Sequence, residues 1–167
     1  MNNAHLHLVV NHLPIIFPIA GIIILVIGIL SKSEVSKRNA YIVFILGSIA
    51  SLVAMATGEG AEVVESVHGV SENLIHRHEE AAEMFAGLSY ILGAFSLGGL
   101  ISSFRKFALN GALAVVVLVM AGGLIYFAQE AGRTGGEIRH TEIRSGANIQ
   151  NGYNTGDLDK GGEADDD

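Results

Sequence analysis

The chain has 167 residues, half of them hydrophobic, and its few charged side chains (16%) sum to a formal net charge of −7. That is a membrane composition, not that of a soluble globular domain. With no cysteine there is no disulfide framework, no thiolate metal site and no C-x-x-C-H haem attachment, and the acidic balance has the wrong sign for a nucleic-acid phosphate backbone.

A bilayer core is about 30 Å thick, so a spanning helix needs roughly 20 apolar residues. Four segments qualify: 13–30, 40–58, 84–104 and 107–128. The predicted fold is all-α: an integral membrane four-helix bundle over residues 1–144, followed by an acidic flexible tail at 145–167.

The first span opens with "HLHLVVNHLPIIFPIAG", which sets His5, His7 and His12 at the membrane boundary, ahead of Pro14 and Pro18. No Lys or Arg precedes the apolar run, so a cleavable signal peptide is not expected and the span should be retained. Each proline lacks an N–H and crowds the carbonyl four residues back. Either the helix is interrupted there, or Pro14 lies in a first turn with Asn11 near the N-cap.

The second span is expected to continue past Gly58 through "EGAEVVESVH". Glu59, Glu62, Glu65 and His68 recur there every three residues. Glu65-x-x-His68 matches an element of di-metal bundles, but the acids stop where the membrane begins, so a solvated helix end is the favoured reading.

Ser71 reads as the N-cap of the third helix. On that helix His78, Ala82, Phe85 and Ser89 share a face by i, i+3 and i+4 spacing, a face suited to the bundle interior. His76 falls with Glu79, Glu80 and Glu83 on another, acidic face. The fourth span leads into "QEAGRTGGEIRHTEIR", where adjacent glycines permit a reversal that would fold His140 over the bundle mouth. Small residues at Gly47 and Ser51, Ser89 and Gly93, Ala94 and Gly98, and Gly122 and Gly123 are expected to let helices approach closely.

The connections 31–39 and 102–106 carry Lys32, Lys37, Arg38, Arg105 and Lys106 against the single acid Glu34. The positive-inside rule puts both in the cytoplasm. Both termini, all seven histidines and every other acid then face outward, in the periplasm of a bacterial inner membrane. Short inner loops imply antiparallel neighbours and an up-and-down topology.

His7-x-x-x-x-His12-x-Pro14-Ile15, His78 followed by Ala81 and Ala82, and Gly135-Gly136-x-x-x-His140 occur in this order on four spans. In this the chain resembles an uncharacterised bacterial four-helix membrane domain family that opens H-P-x-L-V-H-F-P-I and ends with G-G-x-x-x-H. The resemblance runs to about Arg144. Leu8 and Leu13 stand where the family has Pro and Phe, and His5, His68 and His76 have no counterpart. Family relatives joined to c-type cytochrome or Rieske domains imply membrane electron transfer.

The leading expectation is therefore an electron-transfer subunit, not an enzyme in its own right, binding haem b or another redox metal near the outer face. In an antiparallel bundle the starts of the first and third helices share a side. His12 and His78 are thus the expected axial pair, with His140 as a further ligand or cap and His7 as a hydrogen-bond donor behind them. Two alternatives stand beside it. One is a zinc, copper or iron site built from His7, His12, His78, His140 and carboxylates. The other is a structural or assembly subunit of a larger membrane complex, without a cofactor. The acidic tail would suit a basic periplasmic partner such as a cytochrome c. There is no nucleophile–base pair and no phosphate loop.

Overall fold

The computed structural model describes residues 3–67, 70–140 and 143, with the backbone alone at 59, 61–62, 64–67 and 139. The described residues form five helices: α1 (Asn3–Val10), α2 (Leu13–Leu30), α3 (Glu34–Val67), α4 (Glu72–Arg105) and α5 (Asn110–Arg139). The expected tail at 145–167 and the side chains of Glu59, Glu62, Glu65 and His68 lie outside the described residues.

The first span is broken just ahead of Pro14 and continues through Pro18. α1 ends at Val10, and the carbonyl of His12 then receives the first bonds of α2, from the N–H groups of Ile15 (3.1 Å) and Ile16 (3.0 Å). Pro14 sits in the first turn of α2, where an N–H would have no helical acceptor anyway. The cap residue is His12, not Asn11. Pro18 lies inside α2 and is buried, so the carbonyl of Pro14 loses its helical donor there.

α3 continues past Gly58 as expected. Ser71 stands at the N-cap of α4, but its side chain makes no capping bond; its carbonyl accepts from Leu74 (3.0 Å) and Ile75 (3.3 Å). The reversal expected at Gly135 and Gly136 does not occur there. α5 runs through both glycines to Arg139, and the Ile143 N–H donates to the His140 carbonyl at 3.4 Å. The continued helix carries Glu137 to Arg133 on its own helix and to Arg77 of α4, 3.6 Å away.

α2 packs on α3, α3 on α4, α4 on α5, and α5 back on α2, closing an up-and-down four-helix bundle; α1 lies along the far part of α3. Leu25, Tyr41, Phe44, Leu92, Val117 and Leu124 form the centre of the core. Between α3 and α4 the buried Ser51 hydroxyl donates to Ser89 Oγ at 3.0 Å.

The small residues sort into two sets. At Gly47 and Gly93 an added Cβ would lie 3.1 Å from Phe17 and 2.6 Å from Ser48, so these are close helix crossings. Ala94, Gly98, Gly122 and Gly123 are exposed on the outside of the bundle, and the three glycines have nothing within 4 Å of an added Cβ. The expectation of close packing therefore fails for these four. Sequence spacing cannot tell the inner from the outer face when both are apolar.

The bundle surface is itself apolar: Ile16, Ile23, Ile49, Leu52, Leu97 and Val119 are all about half exposed or more. Contiguous apolar surface of this kind needs a non-aqueous neighbour. Four helical stretches, Asn3–Leu30, Glu34–Gly58, Glu72–Arg105 and Asn110–Ile138, are long and apolar enough to cross a membrane. The bundle has two distinct ends: one holds the two short connections, the other the histidines.

Candidate functional site

At the histidine end, two imidazoles are held in the same way by two different helix pairs. His7 of α1 faces α3. Its Nδ1 lies 3.0 Å from the carbonyl oxygen of Ala54 and 3.2 Å from Thr57 Oγ1. A carbonyl only accepts, so Nδ1 carries the hydrogen and a neutral His7 leaves Nε2 as a bare nitrogen. Thr57 spends its own hydrogen within α3, on the carbonyls of Val53 (2.9 Å) and Ala54 (3.1 Å).

His78 of α4 faces α5 in the same manner. Its Nδ1 lies 3.2 Å from Thr134 Oγ1, and the backbone of Ala131 is within hydrogen-bonding reach. The Thr134 hydroxyl donates to the carbonyls of Glu130 (2.9 Å) and Ala131 (3.2 Å). Its oxygen is thus an acceptor for the ring, which again puts the hydrogen on Nδ1 and leaves Nε2 bare.

Each threonine is followed by a glycine; at Gly135 the histidine crowds the place a side chain would take, and at Gly58 it lies in ordinary contact distance of it. An added Cβ at Gly135 would lie 3.0 Å from His78 Cε1, and one at Gly58 would lie 4.0 Å from His7 Cε1. The two receiving helices thus carry one local motif, Ala54-x-x-Thr57-Gly58 and Ala131-x-x-Thr134-Gly135. The carbonyl, the hydroxyl and the bare backbone fall on one helical face, as i, i+3 and i+4 spacing requires. Both histidines are half-buried, and their rings are close enough to sense each other's charge.

This motif is the part of the site that the sequence reading missed. The signal was present as a repeated A-x-x-T-G on the second and fourth spans, but two short matches 77 residues apart carry no meaning until the structure sets a histidine against each.

The other candidates are placed elsewhere. His12 is exposed at the junction of α1 and α2, and its Nδ1 engages Asn11 Oδ1 at 2.5 Å. His12 follows His7 by five residues, which sets it about 140° further around a helix, so it points outward whereas His7 faces α3. His140 is exposed at the C-terminus of α5. His76 lies on the acidic surface face, 3.3 Å from Glu80 and 3.9 Å from Glu79. Among the described residues, no three His, Asp or Glu side chains gather as a metal-binding group.

A clamp of charged residues ties α4 to α5 beside the pair. Glu137 is buried and accepts from Arg133, and Arg77 lies 3.6 Å from its other oxygen. Arg133 also grips Glu130, with Nε 3.1 Å from Oε2.

Comparison with protein-family models, with curated proteins and with solved structures gives no match for this chain.

Proposed function

We propose that the protein is a multi-pass membrane electron-transfer subunit that holds haem b between His7 and His78. One observation carries the reading: both imidazoles have Nδ1–H committed to acceptors on a neighbouring helix, which leaves Nε2 of each bare, and the two rings are close enough for the charge of one to act on the other. Histidines that ligate metal are held in this way, with the remote N–H fixed by a carbonyl or hydroxyl.

The donor set favours haem over a protein-caged zinc. Zinc takes three or four protein ligands, whereas a haem needs only two axial nitrogens. When bound, the haem would supply one-electron transfer. The chain's own part is to fix the two rings, to select their tautomer through Ala54, Thr57, Ala131 and Thr134, and to limit water at the site through the packing of α1 on α3 and α4 on α5. A single redox ion such as copper, bound by the same two nitrogens, is the nearest variant of this reading.

The bilayer reading rests on the four apolar helices and the apolar outer surface. At 1.5 Å rise per residue, Thr57, His78 and Thr134 lie roughly 35–40 Å along their helices from the short-connection end. That is just beyond a hydrocarbon core of about 30 Å, at headgroup depth. The Lys/Arg bias of the short connections puts the histidine end outside, where a basic cytochrome c or another subunit of a membrane complex would exchange electrons. A reporter fused at the C-terminus is expected to be active only outside the cytoplasm; activity only inside reverses the topology.

The rival reading makes the histidines structural ties within a cofactor-free assembly subunit, and the same interhelical hydrogen bonds favour it. Visible spectra of the detergent-purified protein, air-oxidised and dithionite-reduced, separate the two. A Soret band with sharp α and β bands on reduction is expected. A colourless protein with one equivalent of metal selects the ion, and a colourless, metal-free protein selects the structural reading.

Removal of either threonine hydroxyl gives a finer test. Thr57→Val and Thr134→Val keep the side-chain shape but take away an acceptor of Nδ1–H. Each is expected to weaken cofactor retention by about 10–100-fold, the usual effect of losing a group that orients a metal ligand. Spectral titration of haem into the stripped protein measures it.

A further inference from the structure

The end of the bundle away from the histidines carries a second arrangement of charge that the proposed electron-transfer role does not use. The starts of α3 and α5 and the end of α4 enclose an open cleft of about 310 Å³, lined by Glu34, Arg38, Ser103, Lys106, Phe107 and Asn110. Residues 31–39 and 102–110 hold five basic side chains and one acid, Glu34.

That acid is already engaged. Its carboxylate pairs with Lys37, and it accepts from Ser103 Oγ at 2.9 Å and from Asn110 Nδ2 at 2.6 Å. Lys37 is itself buried, whereas Glu34 is exposed and forms part of the cleft lining; Lys37 offsets its charge, so Arg38 and Lys106 leave the cleft with a positive balance. Arg38 is fixed rather than mobile: Nε donates to Ser103 Oγ at 2.8 Å and Nη2 to the Ser103 carbonyl at 3.0 Å, and the guanidinium lies 4.3 Å from the centre of the Phe104 ring. Those contacts use one edge and one face of the fork and leave Nη1 free to bind an anion. Lys106 ends α4 in the left-handed region (φ 54°) and is exposed on the cleft rim.

Large apolar side chains adjoin these cations. Phe104, Phe107 and Leu109 are 62%, 53% and 67% exposed. Cations beside exposed apolar rings, at the end of membrane-length helices, match an amphiphile with an anionic head better than a free anion.

We propose that this cleft binds the headgroup phosphate of an anionic glycerophospholipid, with Arg38 and Lys106 as its cationic contacts and Phe104, Phe107 and Leu109 against its acyl chains. The proposal rests on the membrane-spanning reading and is independent of any cofactor and of which end faces the cytoplasm.

The test uses the full-length protein, delipidated in a neutral detergent. Its thermal unfolding is followed while dioctanoyl phosphatidylglycerol, dioctanoyl phosphatidylcholine or inorganic phosphate is added. Phosphatidylglycerol is expected to raise the unfolding temperature saturably, and the other two to have no such effect at the same concentration. Arg38 is built into the fold, so Lys106 is the residue to change. Lys106→Asn keeps a side chain that tolerates the left-handed region and is expected to weaken phosphatidylglycerol binding about fivefold, the worth of one basic residue at an anionic lipid surface; Lys106→Arg is expected to retain it. An equal response to phosphatidylcholine, an equal response to inorganic phosphate, or no effect of Lys106→Asn overturns the proposal. Carbonate extraction of the membranes is read separately: release of the protein without detergent refutes the membrane-spanning reading itself, whereas retention with no preference for phosphatidylglycerol refutes only the lipid site.

Discussion

His7→Gln and His78→Gln are each expected to give a protein that still inserts in the membrane and has lost its haem, or retains it only as a high-spin, weakly held species. Glutamine keeps a polar side chain able to reach the Ala54 or Thr134 acceptor, so the interhelical hydrogen bond can persist while the bare ring nitrogen is removed. The effect should exceed the roughly 10–100-fold loss expected for the threonine variants, because a ligand and not its support is lost. The double variant should be little worse than either single one, since both residues serve one site and their effects do not add. His12→Gln and His140→Gln are the controls. Both rings are exposed, and both proteins should carry a wild-type spectrum. Reduced-minus-oxidised difference spectra of the five purified variants decide the matter. Full haem content with an unchanged spectrum in His7→Gln and His78→Gln would falsify the assignment and leave the two imidazoles as structural ties.

Much of the bundle is legible in the sequence because four long stretches are apolar and almost free of charge along their whole length. Length and the absence of charge are enough to find four helices. The continuation of α3 past Gly58 and the position of Ser71 follow from local pattern in the same way. The choice between His7 and His12 is not legible. Both are polar, and both lie just ahead of the first long apolar stretch. What separates them is the face each presents: five residues apart, they lie about 140° from one another around a helix, and His7 is the one that meets α3. Spacing shows that the two cannot share a face, but not which of the two faces meets a neighbouring helix. The reversal expected at Gly135 and Gly136 failed for a related reason. Glycine permits a break without requiring one, and here the helix continues so that Glu137 meets Arg77 and Gly135 leaves room for His78.

The glycines of α4 yield the second large effect, with opposite outcomes at adjacent positions. Gly99 is buried against Tyr41, and an added Cβ would lie 2.6 Å from Cζ and 2.8 Å from Cε1 of that ring. Tyr41 is fully buried, so the ring has no free space to enter, and relief has to come from moving α3 away from α4. Overpacking of this kind costs about 1–3 kcal/mol, against a helix-propensity gain of about 1 kcal/mol for replacing glycine by alanine. Gly99→Ala should therefore destabilise the bundle by up to about 2 kcal/mol. Gly99→Leu, which drives four carbons into the same place, should leave little folded protein, since marginal stability leaves only a few kcal/mol to lose. At Gly98 nothing lies within 4 Å of an added Cβ, and the position faces outward among apolar neighbours. Gly98→Ala should keep the propensity gain and be neutral or stabilising by up to about 1 kcal/mol, and Gly98→Leu should be tolerated because lipid accepts the added carbons. Thermal unfolding of the four variants in one detergent, followed by circular dichroism, gives the comparison. If the Gly98 variants unfold early and the Gly99 variants match wild type, α4 is rotated from its position here, and His78, fixed to the same rigid helix, no longer faces Thr134.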